Sequence, residues 1–204
     1  MAVRRILQIE NPDDKKTLKT RCHAIKIFSP ALKQLAADMF ETMHAANGVG
    51  LAAQQIGEPL QLTVLDVSQV EERPSTMKLN GKEVDPKTAM PLILLNPQLT
   101  LSRETSIGPE GCLSFPEITG EIERSDSVTA HGETLEGEVI EIEATGLLAR
   151  ALQHEVDHLN GILFIDRMSS AAKASWASRL KRLQKETQRS HGRDARSLAG
   201  QSAL

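Results

Sequence analysis

Apolar residues recur at helical spacing in three stretches of the chain and alternate or cluster in several shorter ones. "SPALKQLAADMFETMHAANG" opens on Ser-Pro, carries its apolar residues on one helical stripe and closes on Asn47-Gly48, which predicts a helix over about residues 30–46. "GLLARALQHEVDHLNG" predicts a second helix from about 146 to 159, with Thr145 as its N-cap and Asn160-Gly161 as its stop. Leu147, Ala151, His154 and His158 fall on one face of it, with Leu148, Leu152, Glu155 and Leu159 alongside, so the helix should be buried with its histidines turned inward. "LQLTVLDV" (60–67) and "PLILLNPQLTL" (91–101) read as strands bounded by Pro and Gly, with a polar loop or hairpin between them. "SVTAHG" and "EVIEIEA" pair as a hairpin around "ETLEG", and the alternating glutamates of the second suit a sheet with one wet face. "SAAKASWASRLKRLQKETQ" reads as a third helix, after which the last dozen residues look disordered.

At 204 residues the chain suits a single domain, and 40% hydrophobic with 25% charged residues is ordinary for a soluble globular protein. No run of about eighteen apolar residues occurs, so no membrane span is expected. The opening "MAVRRILQIENPDD" meets acid and proline before a signal-peptide core could form, so a cytoplasmic location is expected. Two cysteines far apart, Cys22 and Cys112, make no disulfide framework; in a reducing compartment each is free or metal-bound. The net charge of −3 is uneven. From Ser169 to Leu204 there are eight Lys/Arg and two Asp/Glu, leaving 16 Lys/Arg against 25 Asp/Glu in the rest. A polyanionic partner would meet the tail rather than the acidic body; the alternative is a solvated helix with no partner.

The chemistry begins at "QHEVDH" (153–158). Histidines four apart lie on one helix face, so His154 and His158 can reach one ion, while Glu155 sits to the side, placed to handle the proton of an activated water. Two histidines leave the site incomplete. Downstream, "HLNGILF" has Gly161 where a metzincin continuation would, but Phe164 stands where its third histidine belongs. Glu186 lies in the basic helix without the expected motif, and Asp166 remains a possible ligand. Upstream, Cys112 sits in the turn-rich "GPEGCLSFPE". A buried inert thiol is the default reading of such a residue alone, but beside an incomplete HExxH site the balance moves to a thiolate ligand. Cys-His-His would leave a fourth position open, the arrangement of a catalytic metal. "GVGLAAQQIG" (48–57) adds glycines that allow close backbone approach and the amides Gln54 and Gln55, one of which could donate to an oxyanion; the plainer alternative is a glycine-rich turn with solvated glutamines.

Taken in order, "GVGLAAQQIG", "EGCLS" and "QHEVDH" closely resemble the three motifs of the peptide deformylase family. The likeness extends to "ILQIENPDDKKTLK" and "LAADMFETMHAANG" and spans roughly residues 4–168. One departure is Gln54, where the family commonly has Pro or another small residue. The resemblance implies an α+β fold in which small antiparallel sheets pack around a central HExxH-bearing helix, with N-terminal and C-terminal helices. It implies a catalytic domain over residues 1–168, followed by a basic helix and disordered tail over 169–204. Cys112, His154 and His158 would hold one divalent metal ion, natively Fe(2+), with Zn(2+), Ni(2+) or Co(2+) able to take its place. Glu155 would serve as general base and acid. The Gln55 side-chain amide and the Leu113 backbone N–H would form the oxyanion hole, and Gly50, Val49 and Leu147 would contact substrate. The implied reaction is hydrolysis of the N-formyl group from the initiator methionine of nascent peptides, releasing formate. Expected partners are N-formylmethionyl nascent peptides and the ribosome, the latter through the basic C-terminal helix. No membrane association and no sequence-specific nucleic-acid binding are expected, and a monomer is.

Overall fold

The computed structural model describes residues 2–176 and residue 181. A short helix α1 (Pro12–Leu18) is followed by α2 (Pro30–Ala45), strand β1 (Gly50–Ala52), a 3-10 turn (Ala53–Ile56) and β2 (Leu62–Leu65). A small hairpin, β3 (Met77–Leu79) and β4 (Lys82–Val84), leads through α3 (Pro86–Ala89) to β5 (Leu92–Leu101). Two long strands, β6 (Thr105–Cys112) and β7 (Phe115–Ser125), precede β8 (Ser127–Glu133) and β9 (Val139–Thr145). Helices α4 (Gly146–Leu159) and α5 (Phe164–Arg167) follow, and residues 170–176 are helical. The basic helix beyond 176 and the tail expected from the sequence lie outside the described residues.

Seven strands form one sheet in the order β1-β2-β5-β8-β9-β3-β4, and β6 with β7 forms a separate two-stranded one; every pairing between these strands is antiparallel. The mixed helix and antiparallel-sheet architecture agrees with expectation, but one sheet is larger than expected. The short β3–β4 hairpin joins it through a pairing distant in sequence, with Met77 of β3 opposite Ala144 of β9, which a local hydrophobic pattern cannot reveal. The amphipathic α4 buries almost every side chain and packs against β1, β2, β5, β8 and β9 on the large sheet and against β7 on the small one. Leu148, Leu152, Leu65, Leu94 and Ile142 form the core between helix and large sheet. Phe115, Ile118, Ile122, Leu163 and Phe164 form a second core under β7, with Phe115 and Phe164 edge to face at 5.2 Å.

The sharp change from β9 into α4 requires Gly146, whose φ is +65° and where a Cβ would overlap the carbonyl of Pro74. Thr145 occupies the N-cap position as expected, but its side chain caps nothing. Still paired to Ser127 in the sheet, it puts its hydroxyl 2.6 Å from that of Thr76, and the helix amide of Leu148 donates instead to Ser75 Oγ at 2.9 Å. The stop is as expected: Asn160 is the C-cap and Gly161 follows at φ +73°.

The larger surprise is the β6–β7 hairpin. Gly108, Pro109, Gly111 and Pro116 suggest turns, yet all lie within strands. A sheet of only two strands tolerates them because each strand needs ladder partners along one edge alone. Cys112 is therefore the last residue of a strand, at a register shift, and not part of a turn-rich loop.

Candidate metal centre

Helix α4 and the end of β6 bring together the two halves of the site. The Cys112 Sγ and one ring nitrogen each of His154 and His158 lie within 4.8 Å of one another, and Cys112 Sγ is 3.2 Å from His158 Nε2. Both imidazoles are buried, as the helical spacing predicted. Asp166, the downstream candidate, is elsewhere: it pairs with Lys19 Nζ at 3.2 Å and accepts from the Leu163 amide at 3.0 Å, closing the turn of α5.

The His154 ring is oriented by a residue that the sequence reading missed. Glu110, two positions before Cys112, accepts from His154 Nδ1 at 3.0 Å, which leaves Nε2 for an ion. Burial pushes the Glu110 carboxyl up, but hydrogen bonds from His154 and Arg124 outweigh it and hold the group far below the usual carboxylate range. Arg124 grips Glu110 through Nε (2.9 Å) and Nη2 (3.0 Å), and Arg150 Nη1 adds a third guanidinium contact at 3.0 Å. Arg124 also reaches Asp157, which Arg167 holds from the other side. Arg150 was findable, since it lies one turn before His154 on the ligand face. Glu110 and Arg124 were not, because nothing local says that strand residues face this helix.

Glu155 is 4% exposed and its Oε2 is buried with no hydrogen-bond partner among the described residues. Burial raises its carboxyl to about 7, against the pull of His154. The backbone of β1 passes so close that a Cβ at Gly50 would overlap the Glu155 carboxylate. Gln55 is fixed at its oxygen, where Oε1 accepts from the Ala52 amide at 2.9 Å. Its Nε2 faces the site, 3.5 Å from Cys112 Sγ and 3.2 Å from Ser114 Oγ. Gln54 turns the other way and donates to the carbonyls of Thr17 and Thr20, at the end of α1. Both amides are buried, so the alternative of a turn with solvated glutamines fails. Leu113 begins the tight connection from β6 to β7. A cavity of about 520 Å³ is lined by Val49, Gly50, Gln55, Cys112, Leu113, Leu147, His154 and Glu155. Every residue singled out from the sequence as a site candidate, except His158 and the displaced Asp166 and Gln54, borders it.

One thiolate and two imidazoles on a buried wall suit a borderline divalent transition metal with a position left open. The unpartnered Glu155 oxygen beside them is what a water in that position would satisfy.

Comparison with known proteins places these residues in context. Residues 3–174 match the family described as polypeptide deformylase. A peptide deformylase of Roseiflexus sp. (strain RS-1) is 53% identical over 171 residues, covering 82% of this chain and 90% of the relative. One from Novosphingobium aromaticivorans is 39% identical over 190 residues, covering 91% and 99%. Among solved structures, the peptide deformylase of Thermotoga maritima superposes with a TM-score of 0.69 at 36% identity, covering 83% of this chain and 99% of that one. A plant peptide deformylase gives 0.77 at 33% identity, with 92% of each chain covered.

Proposed function

The chain belongs to the polypeptide deformylase family, hydrolases that remove N-formyl groups from nascent peptides, and on that premise we propose a metal-dependent mechanism resting on named residues of this cavity. Cys112, His154 and His158 hold one divalent ion, Fe(2+) in its native form, with Zn(2+), Ni(2+) or Co(2+) as substitutes. Bound there, such an ion acidifies water and polarises the formyl carbonyl. The fit is supported by the donor set and by the free Glu155 oxygen beside it.

Glu155 does the proton work. Its carboxylate takes a proton from the attacking water and delivers it to the nitrogen of the departing amine, which leaves poorly unless protonated. A group raised to about 7 by burial is suited to both halves of that exchange near neutral pH. The developing oxyanion accepts from Gln55 Nε2 and the Leu113 backbone N–H, donors held before the reaction starts. The substrate chain lies along β1, which is the outer strand of the seven-stranded sheet and so has one open edge at Gly50. Val49 and Leu147 supply apolar contact for the methionine side chain. On this reading α4 is the element around which both sheets are organised.

The observation that carries the reading is that Glu155, Cys112, His154 and Gln55 border one cavity, with His158 grouped behind them within 4.8 Å of the other two ligand atoms. We also propose that residues 169–204 form a separate basic segment that approaches the ribosome, and that the enzyme works as a cytoplasmic monomer. Among the described residues no helix is long and apolar enough to cross a membrane. The test is metal content and formate release from formyl-Met-Ala-Ser in the same preparation. Glu155→Ala and Glu155→Gln should retain about one ion per chain yet lose several orders of magnitude in turnover. Near-normal turnover in either would remove Glu155 from the proton pathway.

A further inference from the structure

Two donors that serve one oxygen must keep their separation, and here they come from different elements. Gln55 sits in the 3-10 turn after β1, and Leu113 in the connection from β6 to β7. The extended segment 7–9 runs between them and is bonded to both. The Leu7 amide donates to the Gln55 carbonyl at 2.7 Å, and the Ile9 amide donates to the Ser114 carbonyl at 3.1 Å. Between those backbone contacts, Gln8 Nε2 donates to the carbonyl of Leu113 at 3.0 Å. The circuit closes where Gln55 Nε2 meets Ser114 Oγ. The segment is itself anchored: the Gln8 amide donates to Asp14 Oδ2 at 2.9 Å, and Arg5 grips the same carboxylate at 2.8 and 2.6 Å.

Any residue except proline would supply the backbone donors of positions 7 and 9. Only position 8 contributes through its side chain, and it does so at a cost. Gln8 Oε1 is buried with no hydrogen-bond partner among the described residues. An unsatisfied buried acceptor is destabilising, and an apolar side chain of similar size would avoid the penalty. For the fold alone glutamine gains little here, since what its Nε2 gives to the Leu113 and Ile6 carbonyls is offset by the stranded Oε1. Its amide donor is the part in use, and that donor touches the residue whose own N–H faces the reaction.

We propose that Gln8 is a positioning residue for deformylation, holding the Leu113–Ser114 turn at a fixed distance from Gln55 so that both donors meet the same oxyanion. The inference rests on the reading of Gln55 and Leu113 given above. It is tested with the full chain in its metal-loaded form. Gln8→Leu removes the donor and the unsatisfied acceptor together. Turnover should fall about ten- to a hundredfold, the effect of a donor displaced by a fraction of an ångström, with KM changed less than about twofold. The unfolding temperature should stay close to that of the parent, since the unsatisfied acceptor disappears while the Leu113 carbonyl loses this donor, and metal content should not change. Gln8→Lys, which keeps a long side-chain donor, should recover most of the lost turnover. Wild-type turnover in Gln8→Leu, a loss accompanied by metal loss or a lowered unfolding temperature, or no recovery in Gln8→Lys would each overturn the proposal. Gln55→Ala, run in parallel, separates the two levels. If it leaves turnover intact, the oxyanion reading itself fails; if it lowers turnover while Gln8→Leu does not, only the role of Gln8 falls.

Discussion

Replacing Glu110 should weaken both the fold and the metal site, although Glu110 itself is not proposed to touch the metal. The carboxylate is 7% exposed and receives four hydrogen bonds, from His154 Nδ1, Arg124 Nε and Nη2 and Arg150 Nη1. Glu110→Ala leaves the Arg124 guanidinium, of a residue only 4% exposed, with Asp157 as its one remaining carboxylate partner among the described residues, shared with Arg167. Arg150 keeps the carbonyls of Ile122 and Ser106, and His154 Nδ1 loses its acceptor. Removing one partner of a buried ion pair costs about 3–5 kcal/mol, because the stranded charge cannot regain its water. At roughly 2–4 °C per kcal/mol for a chain of this size, unfolding should shift down by roughly 6–20 °C. Metal affinity should fall about ten- to a hundredfold, since the ring that presents Nε2 is no longer fixed. Glu110→Gln should be intermediate, as the amide oxygen can accept from His154 while its NH2 opposes an arginine. Calorimetry and a competitive chelator titration on the same samples measure both effects. A Glu110→Ala protein that unfolds within about 2 °C of the parent and keeps its metal affinity would refute the claim that this carboxylate organises the site.

Cys112→Ala should lose the bound metal and the activity together, and the cobalt form of the parent should show thiolate charge-transfer absorption that this variant lacks; full metal content in the variant would remove Cys112 from the ligand set. Gln55→Ala should lower kcat about a hundred- to a thousandfold with little change in KM, whereas Gln54→Ala should lower thermal stability by releasing the carbonyls of Thr17 and Thr20 but spare kcat. Burial pushes the Cys22 thiol up to about 12, so in the folded protein a thiol reagent at pH 8 should leave Cys22 unmodified until denaturant is added. The same shift has a stability sign: the folded state holds this proton more tightly, so its contribution is full below the ordinary thiol value of 9.0 and is lost as pH rises from there towards about 12. Cys22→Ser should flatten that part of the pH–stability curve.

What the sequence made legible follows from how far each signal reaches. The boundaries of α2 and α4 and the β8–β9 hairpin were readable because their evidence is local: a periodic stripe, a stop at Asn-Gly, two alternating runs around a turn. The candidate ligand pair His154 and His158 was readable for the same reason, since both lie on one helix. Cys112 was singled out by the chemistry the histidines lacked, and the structure brings its Sγ close to them, but the argument from its turn-like neighbours was wrong, because that stretch is a strand. The groups that orient the site were the ones hidden. Glu110, Arg124 and Gln8 act across pairings of distant segments, and as isolated polar residues each reads as solvated surface. Their burial inverts that reading. A carboxylate held far below its usual range by His154 and Arg124, beside a second carboxyl raised to about 7 by burial, means that neighbouring acids are driven to opposite protonation behaviour by the packing around α4. On the proposed mechanism the first accepts a hydrogen bond permanently while the second exchanges its proton. That division of labour between Glu110 and Glu155 is set by which of them the arginines can reach.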